Sequence, residues 1–373
     1  MNLDHQRDEL LTASARLDAS PSIEFLPLKE YLRELAQTEI LAVMLSRTNI
    51  ENPKRIFEAQ QLTERLAFQS PSIAMIVGAL RIQSVMLAKL DSTFVRDKWL
   101  APMLSGEILG SIAVTEENAG SDVRGMTSTL QLAADGGGVL SGRKTQVALA
   151  PMADFAIVLA KVGGNNRTAN MALVIVERGG AGVIFEQTEP LMSYEKFPMG
   201  GISFDQAPIS SKHLLLPDGG LEAFLAVVNF ARIEAASHGI GILSACLAAC
   251  LARTRVRQVN DRPLAEFQKV QDLIGSMRID LEASRGIRDK AAERYASGVP
   301  DLALAAAAKV FATDSAAKHT AEAVGIFGAD GLRAGSRIAT LFRDAKAAQT
   351  FDGANHLLRL VVGQQTLKAF SDH

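Results

Sequence analysis

The chain has 373 residues, 48% of them hydrophobic and 21% charged, with a formal net charge of -2. That composition excludes an intrinsically disordered chain, and a near-neutral balance without a dense basic stripe disfavours nucleic-acid binding. The length exceeds what one compact core accommodates and predicts two or three domains.

In chain order, Met1 to Glu9 lacks the basic and apolar regions of a signal peptide, so the expectation is a cytoplasmic protein. Residues 1–110 read as an N-terminal helical domain. Leu28, Leu32 and Leu35 recur at helical spacing, as do Ala59, Leu62 and Leu66. Ser70-Pro71-Ser72 is a start signal for a further helix through Ile73, Met75, Ile76 and Leu80. Ser105-Gly106 then marks a break.

Residues 111–215 change character. A short apolar run, Ile112 to Val114, ends in Thr115, and a turn-rich polar segment follows with Gly120 and Ser121 at its centre. Such a segment is a strand that delivers hydroxyls and free backbone N–H groups to a hydrogen-bonding ligand, for instance a flavin ring and a phosphate chain. By itself it can equally be an ordinary strand-end turn. Thr129 to Ala133 alternates polar and apolar residues, and Asp135-Gly136-Gly137-Gly138 supplies a tight reversal. Phe155 to Val162, Met171 to Val176, Val183 to Phe185 and Ile202 to Phe204 are further short apolar runs, the second reached through Gly163-Gly164-Asn165-Asn166. Short strands joined by glycine turns predict a small antiparallel barrel or sandwich.

Residues 216–373 return to helix. Residues 221–252 are apolar but interrupted by Arg232, Glu234 and His238, so the expectation is a buried helix and no membrane span. Cys246 and Cys250, four apart on it, read as buried thiols. The six histidines show no metal-ligand spacing. Pro263 suits a helix start, followed by an apolar stripe of Leu264, Phe267, Val270, Leu273, Ile274, Met277 and Leu281. An alanine-rich helix from Leu302 to Phe327 should stop at Gly328. A last helix from about Arg337 to Phe370 is expected to break near Asp352-Gly353.

Several motifs resemble those of one family. Ala113-Val114-Thr115-Glu116-Glu117-Asn118-Ala119-Gly120-Ser121-Asp122 is similar to the signature of the acyl-CoA dehydrogenases, with Trp99-Leu100-Ala101-Pro102 and Leu104-Ser105-Gly106-Glu107 resembling its lead-in. Arg343-Asp344-Ala345-Lys346 and Phe351-Asp352-Gly353-Ala354 resemble its C-terminal segment. The resemblance spans most of residues 70–368. It implies a mainly α fold with a central β-domain: an N-terminal helical domain, a small β-barrel over 111–215 and a C-terminal four-helix bundle over 216–373.

The resemblance also implies a chemistry, the desaturation of an acyl thioester. That reaction needs a carboxylate base, donors to the thioester carbonyl and a hydride acceptor, which no side chain provides and which FAD does. Asp352 matches the position of the family's glutamate base and is one methylene shorter, a retreat of about one C–C bond, roughly 1.5 Å. Read without the match, Asp352-Gly353 is a turn dipeptide. His356, one helical turn on, is either its charge partner or a solvated histidine. Arg232 resembles an arginine beside the active site, and is alternatively a charge paired in the helical core. Ala231 before it removes the base that some members carry there. Glu234 is off-register for that base and reads as structural.

By the same resemblance Val114 and Thr115 would meet the flavin ring, Gly120 and Ser121 the phosphates or a pantetheine arm. Gln146 stands where an aromatic residue is usual, and Ala148 replaces a hydroxyl. Arg257, Gln268 and Gly328 match positions that help hold the adenine and pyrophosphate of a partner subunit's FAD, which implies a homodimer or homotetramer. Arg257 and Gly328 also have plain readings, a solvated arginine and a helix-end glycine. The implied substrate is an acyl-CoA or an acyl carrier protein thioester, the latter as in polyketide biosynthesis. The implied electron acceptor is an electron-transfer flavoprotein or oxygen. Two alternatives stay open. One is a flavin-dependent oxidase or monooxygenase on the same fold, because nitroalkane oxidase, a relative, uses an aspartate base. The other is a catalytically inactive scaffold.

Overall fold

The structure is a computed structural model that describes residues 30–34, 53–163, 170–187 and 190–371. Leu28, Leu35 and the Gly164-Asn165-Asn166 part of the expected turn lie outside the described residues. Residues 30–34 are helical, and Leu32 is buried.

Helix α1 (Pro53–Gln69) buries Ala59, Leu62 and Leu66 on one stripe, as their spacing requires. Helix α2 (Pro71–Lys89) starts where Ser70-Pro71 signals it. The Ser70 hydroxyl accepts the Ile73 N–H, and Pro71 stands at a position where no donor is needed. Helix α3 over residues 93–104 has a π-helical turn at Arg96–Leu100 that buries Trp99.

Eight strands follow: β1 (Gly110–Ala113), β2 (Thr129–Leu132), β3 (Gly138–Ala148), β4 (Phe155–Val162), β5 (Met171–Glu177), β6 (Val183–Gln187), β7 (Met199–Ile209) and β8 (Leu214–Leu216). They form one sheet in the order β6-β7-β3-β2-β4-β5-β8, with β1 added on β4. Most pairs are antiparallel, as expected, but β1 and β2 both run parallel to β4. The reason is the long polar loop between β1 and β2. It returns the chain beside the same strand in the same direction, which a tight hairpin cannot do. β4 and β5 read as unbroken apolar runs because they are buried on both faces.

Helix α4 (Gly220–Val256) is long and apolar enough to cross a bilayer, yet 72% of its most apolar window is buried inside the protein. It packs along α1, α5 (Gln268–Ala296) and α6 (Leu302–Phe327). At Gly241 the backbones of α4 and α1 approach so closely that a Cβ would lie 2.4 Å from the Glu64 carbonyl oxygen. Cys246 and Cys250 are free and buried. Between α4 and α5 the chain makes a two-residue hairpin, β9 (Gln258–Val259) with β10 (Arg262–Pro263). Pro263 thus lies in a strand, and α5 begins only at Gln268. Of the predicted α5 stripe, Met277 and Leu281 are buried while Val270, Leu273 and Ile274 are half-exposed. Helix α6 ends at Phe327, with Gly328 at φ 60° as its cap. Helices α7 (Arg337–Ala348) and α8 (Asn355–Ser371) are separated by the expected break at Asp352-Gly353.

Candidate active site

The segment after β1 is organised by one buried ion pair. Lys144 of β3, fully buried, donates to the Val114 carbonyl at 3.1 Å and to Glu116 Oε1 at 2.8 Å. Glu116 also accepts the N–H of Thr127 at 2.5 Å, the Thr127 hydroxyl at 2.7 Å and the N–H of Ser128 at 3.0 Å. Burial works against the Glu116 charge, but Lys144 and the Thr127 donors outweigh it and hold the acid at about 2. With Glu116 turned inward, Val114 and Thr115 are left half-exposed, and Gly120 and Ser121 exposed. Among the described residues, only the Thr115 methyl, at 3.9 Å, stands near where a Gly120 side chain would begin.

Gln146 joins this group. The Thr145 N–H donates to the Thr115 carbonyl at 2.8 Å, which sets β3 against the loop. A bulge between Lys144 and Val147 puts Gln146 at φ 52° and turns it outward, exposed. Thr115 and Ser121 therefore offer hydroxyls, Gln146 of β3 an amide and Gly120 an open backbone position. That donor set fits the ring edge and phosphates of FAD. Where the family usually has an aromatic residue and a hydroxyl, Gln146 and Ala148 offer an amide and a methyl group.

Asp352 lies on the turn between α7 and α8, not on the last helix itself. Both Asp352 (φ 54°) and Gly353 (φ 101°) have left-handed backbone. A Cβ on Gly353 would lie 2.9 Å from Leu358 Cδ2, so a side chain there is excluded twice over. Phe351 packs on Tyr194 and His238, with ring centroids 6.1 and 5.9 Å away. Val114, Ala148 and Phe351 all pack against the same hydrophobic core.

Burial raises the Asp352 carboxyl to about 6, against the attraction of Lys309 and Arg232, with Glu234 adding a repulsion. Arg232 on α4 is its cationic neighbour. Burial lowers the guanidinium, Asp352 partly offsets that, and the Arg232 Nε has no hydrogen-bond partner among the described residues. Glu234, two residues on, is committed elsewhere. Its oxygens accept from Gln60, from Thr63 at 2.9 Å and from Arg81 at 2.5 Å, all buried, which agrees with a structural role. His356 is exposed, and the charges acting on Asp352 come from other helices.

Arg257, Gln268 and Gly328 form a separate exposed set. Arg257 caps α4, and its carbonyl accepts the Leu264 N–H at 2.8 Å, which ties down the hairpin leading to Gln268. Arg253 reaches from α4 to Asp330 Oδ2 at 3.0 Å and so draws the Gly328 corner to the same end of the bundle. These three belong to the helix ends, and Val114, Thr115, Gly120, Ser121 and Gln146 to the sheet.

Sequence reasoning missed Lys144, whose buried ammonium sets the loop, and Lys309, whose ammonium reaches the Asp352 turn. Lys309 left a signal: it is a charged residue on the otherwise apolar stripe of Ala305, Ala308, Ala312 and Ala316.

The described chain is a sheet preceded and followed by helices, an order it shares with known proteins. Residues 111–207 match the middle domain of acyl-CoA dehydrogenases and residues 218–367 match their C-terminal domain. The chain is 30% identical to the short-chain-specific acyl-CoA dehydrogenase of Megasphaera elsdenii, over 73% of this chain and 72% of that one. It is 30% identical to the glutaryl-CoA dehydrogenase of Desulfococcus multivorans, over 79% and 78%. The butyryl-CoA dehydrogenase structure from Megasphaera elsdenii superposes with a TM-score of 0.88 at 24% identity, covering 98% and 99% of the two chains. The chain belongs to the acyl-CoA dehydrogenase family of oxidoreductases.

Proposed function

We propose that this protein is an FAD-dependent dehydrogenase of an acyl thioester, with Asp352 as the base. The observation that carries the reading is the Asp352 carboxyl on the turn between α7 and α8, faced by the cations Lys309 and Arg232. Asp352, raised to about 6, is ionised at neutral pH yet basic enough to take the α-proton of a thioester. Arg232 keeps that carboxylate charged and, with its Nε unpartnered, retains a donor for the substrate side. FAD, when bound, supplies the acceptor for the β-hydride. Val114, Thr115 and Gln146 would hold its ring, and Gly120 and Ser121 the phosphates or the pantetheine arm. Arg257, Gln268 and Gly328, exposed at the helix ends, would serve the FAD of a second copy in a homodimer or homotetramer.

The test is direct. Purified protein loaded with FAD is mixed without oxygen with straight and branched acyl thioesters, carried either on coenzyme A or on a phosphopantetheine carrier protein. Loss of the visible flavin absorbance supports the reading, and the carrier that works identifies the substrate class. A flavin that no thioester bleaches overturns it. The aspartate in place of glutamate supports a second reading, an oxidase or monooxygenase. Rapid oxygen consumption by the reduced protein favours that reading, and transfer to an electron-transfer flavoprotein favours the first.

A further inference from the structure

Lys309 is fully buried on α6, in a stripe otherwise made of alanine and threonine. An ammonium in such a place costs several kcal/mol unless its donors are used. They are used on one short piece of chain. Nζ donates to the Gly353 carbonyl at 3.0 Å and to Asn355 Oδ1 at 2.6 Å, and lies 5.9 Å from the centre of the Phe351 ring. The contacts continue one turn along α6. Asn355 Nδ2 donates to Thr313 Oγ1 at 2.9 Å and to Asp314 Oδ1 at 2.7 Å. Gln349 donates to the same Asp314 oxygen at 2.6 Å, and the Asn355 N–H closes the turn on the Gln349 carbonyl at 3.0 Å. Residues 349–355 are therefore fastened on both sides of Asp352, whose left-handed backbone an unfastened chain would leave.

We propose that Lys309 is the positioning residue of the Asp352 carboxylate: by clamping the Gly353 carbonyl and the Asn355 amide it holds the left-handed turn that sets Asp352 beside Arg232. The proposal rests on the reading of Asp352 as the base. The charge of Lys309 has a second effect. Asp352 is faced by Arg232 and Glu234 from α4 and by Lys309 from α6. Asp314 of α6 lies behind Lys309 and is itself paired with Arg359 of α8, while Arg81 of α2 and Arg288 of α5 act on Glu234. His238 is held neutral by burial. Removing the Lys309 charge leaves Arg232 alone against burial and Glu234, so the carboxyl gives up its proton only at higher pH.

The experiment compares Lys309→Met, which loses charge and donors, with Lys309→Gln, which keeps one donor. Each is checked for flavin content and melting temperature. Two quantities are then read. One is the pH profile of flavin reduction by the thioester that bleaches the wild type. The other is the midpoint of the protonated carboxyl band in difference infrared spectra referenced to Asp352→Asn, which needs no turnover. For Lys309→Met, both midpoints should rise by about one pH unit. Its plateau rate should fall by ten- to a hundredfold, roughly the effect of a 1 Å misplacement. Lys309→Gln should show the same rise with a smaller rate loss, and decides the matter if the methionine variant does not fold. A lysine of merely structural value would lower the melting temperature and leave both midpoints in place, which overturns the proposal. If no thioester reduces the wild type, the functional reading fails while the infrared midpoint still decides this one.

Discussion

Asp344 of α7 accepts the Tyr194 N–H at 2.6 Å with its carboxylate, while its carbonyl accepts the Tyr194 hydroxyl at 2.9 Å. Two residues 150 apart in sequence are thus joined by two hydrogen bonds, both donated by Tyr194, with the Tyr194 hydroxyl also 3.0 Å from His238 Nε2. Arg343, next in line, reaches Glu195 at 2.6 Å. The Arg-Asp pair of the C-terminal motif is therefore what docks the segment before β7 onto the helices and seats Phe351 on Tyr194.

Burial raises Asp344 to about 7, with the Tyr194 N–H and Arg343 pulling down and Glu195 pushing up. The folded value stands above the unfolded one, so its contribution is complete below about pH 4 and is lost as pH rises through 7. Asp344→Asn keeps the acceptor oxygen and removes the charge. It should flatten the decline in melting temperature between pH 4 and 8 and be the more stable form at pH 8, by roughly 2 kcal/mol. Parallel melting curves for the two forms across that range would remove Asp344 from this role.

Asp352→Asn should bind flavin as the wild type does and reduce it at least a thousandfold more slowly, since the base supplies about that factor. Anaerobic stopped-flow absorbance measures both. Wild-type reduction by the asparagine variant would strike Asp352 from the mechanism.

The rate of reduction at low substrate should fall on the acid side of about pH 6, close to tenfold per unit, because the base must be ionised. Arg232 favours that ionised form, so Arg232→Leu should carry the limb to higher pH. A limb that stays put after this change would separate Arg232 from the carboxylate.

Glu116 is held at about 2, below its unfolded value of 4.5, so its stabilisation is full above pH 4.5 and vanishes as pH falls towards 2. Glu116→Gln leaves the buried Lys144 without its anion. We expect a loss of about 3 kcal/mol at pH 7, shrinking to nothing near pH 2, together with weaker FAD retention because the Val114–Ser121 loop loses its anchor. Chemical denaturation at the two pH values and flavin content after dialysis check this.

How much of this was legible differs by element. Ser70-Pro71, the Leu302–Phe327 run and the Asp352-Gly353 break each carry local backbone chemistry, and the structure agrees with all three to within a residue or so. Pro263 misled because a proline also suits a short hairpin, and the hairpin is fixed by a tertiary bond from Leu264 to Arg257. The parallel placement of β1 and β2 on β4 has no period of its own to read. The site was half visible. Thr115, Ser121 and Asp352 stand in motifs, whereas Lys144 and Lys309 act through partners 28 to 46 residues away, and spacing says nothing of that. Of the two readings of His356, the exposed position agrees with the solvated one, and the cations facing Asp352 come across from α4 and α6.

The order of the parts along the chain has a consequence for biosynthesis. Arg232 and Lys309 are threaded out of the ribosome well before the turn whose carboxylate they face, and Asp352 follows every other residue assigned to the site. Until it emerges, the nascent protein lacks the carboxylate that Arg232 and Lys309 face in the finished fold. The proposed flavin contacts are all synthesised before it, and the proposed base comes last.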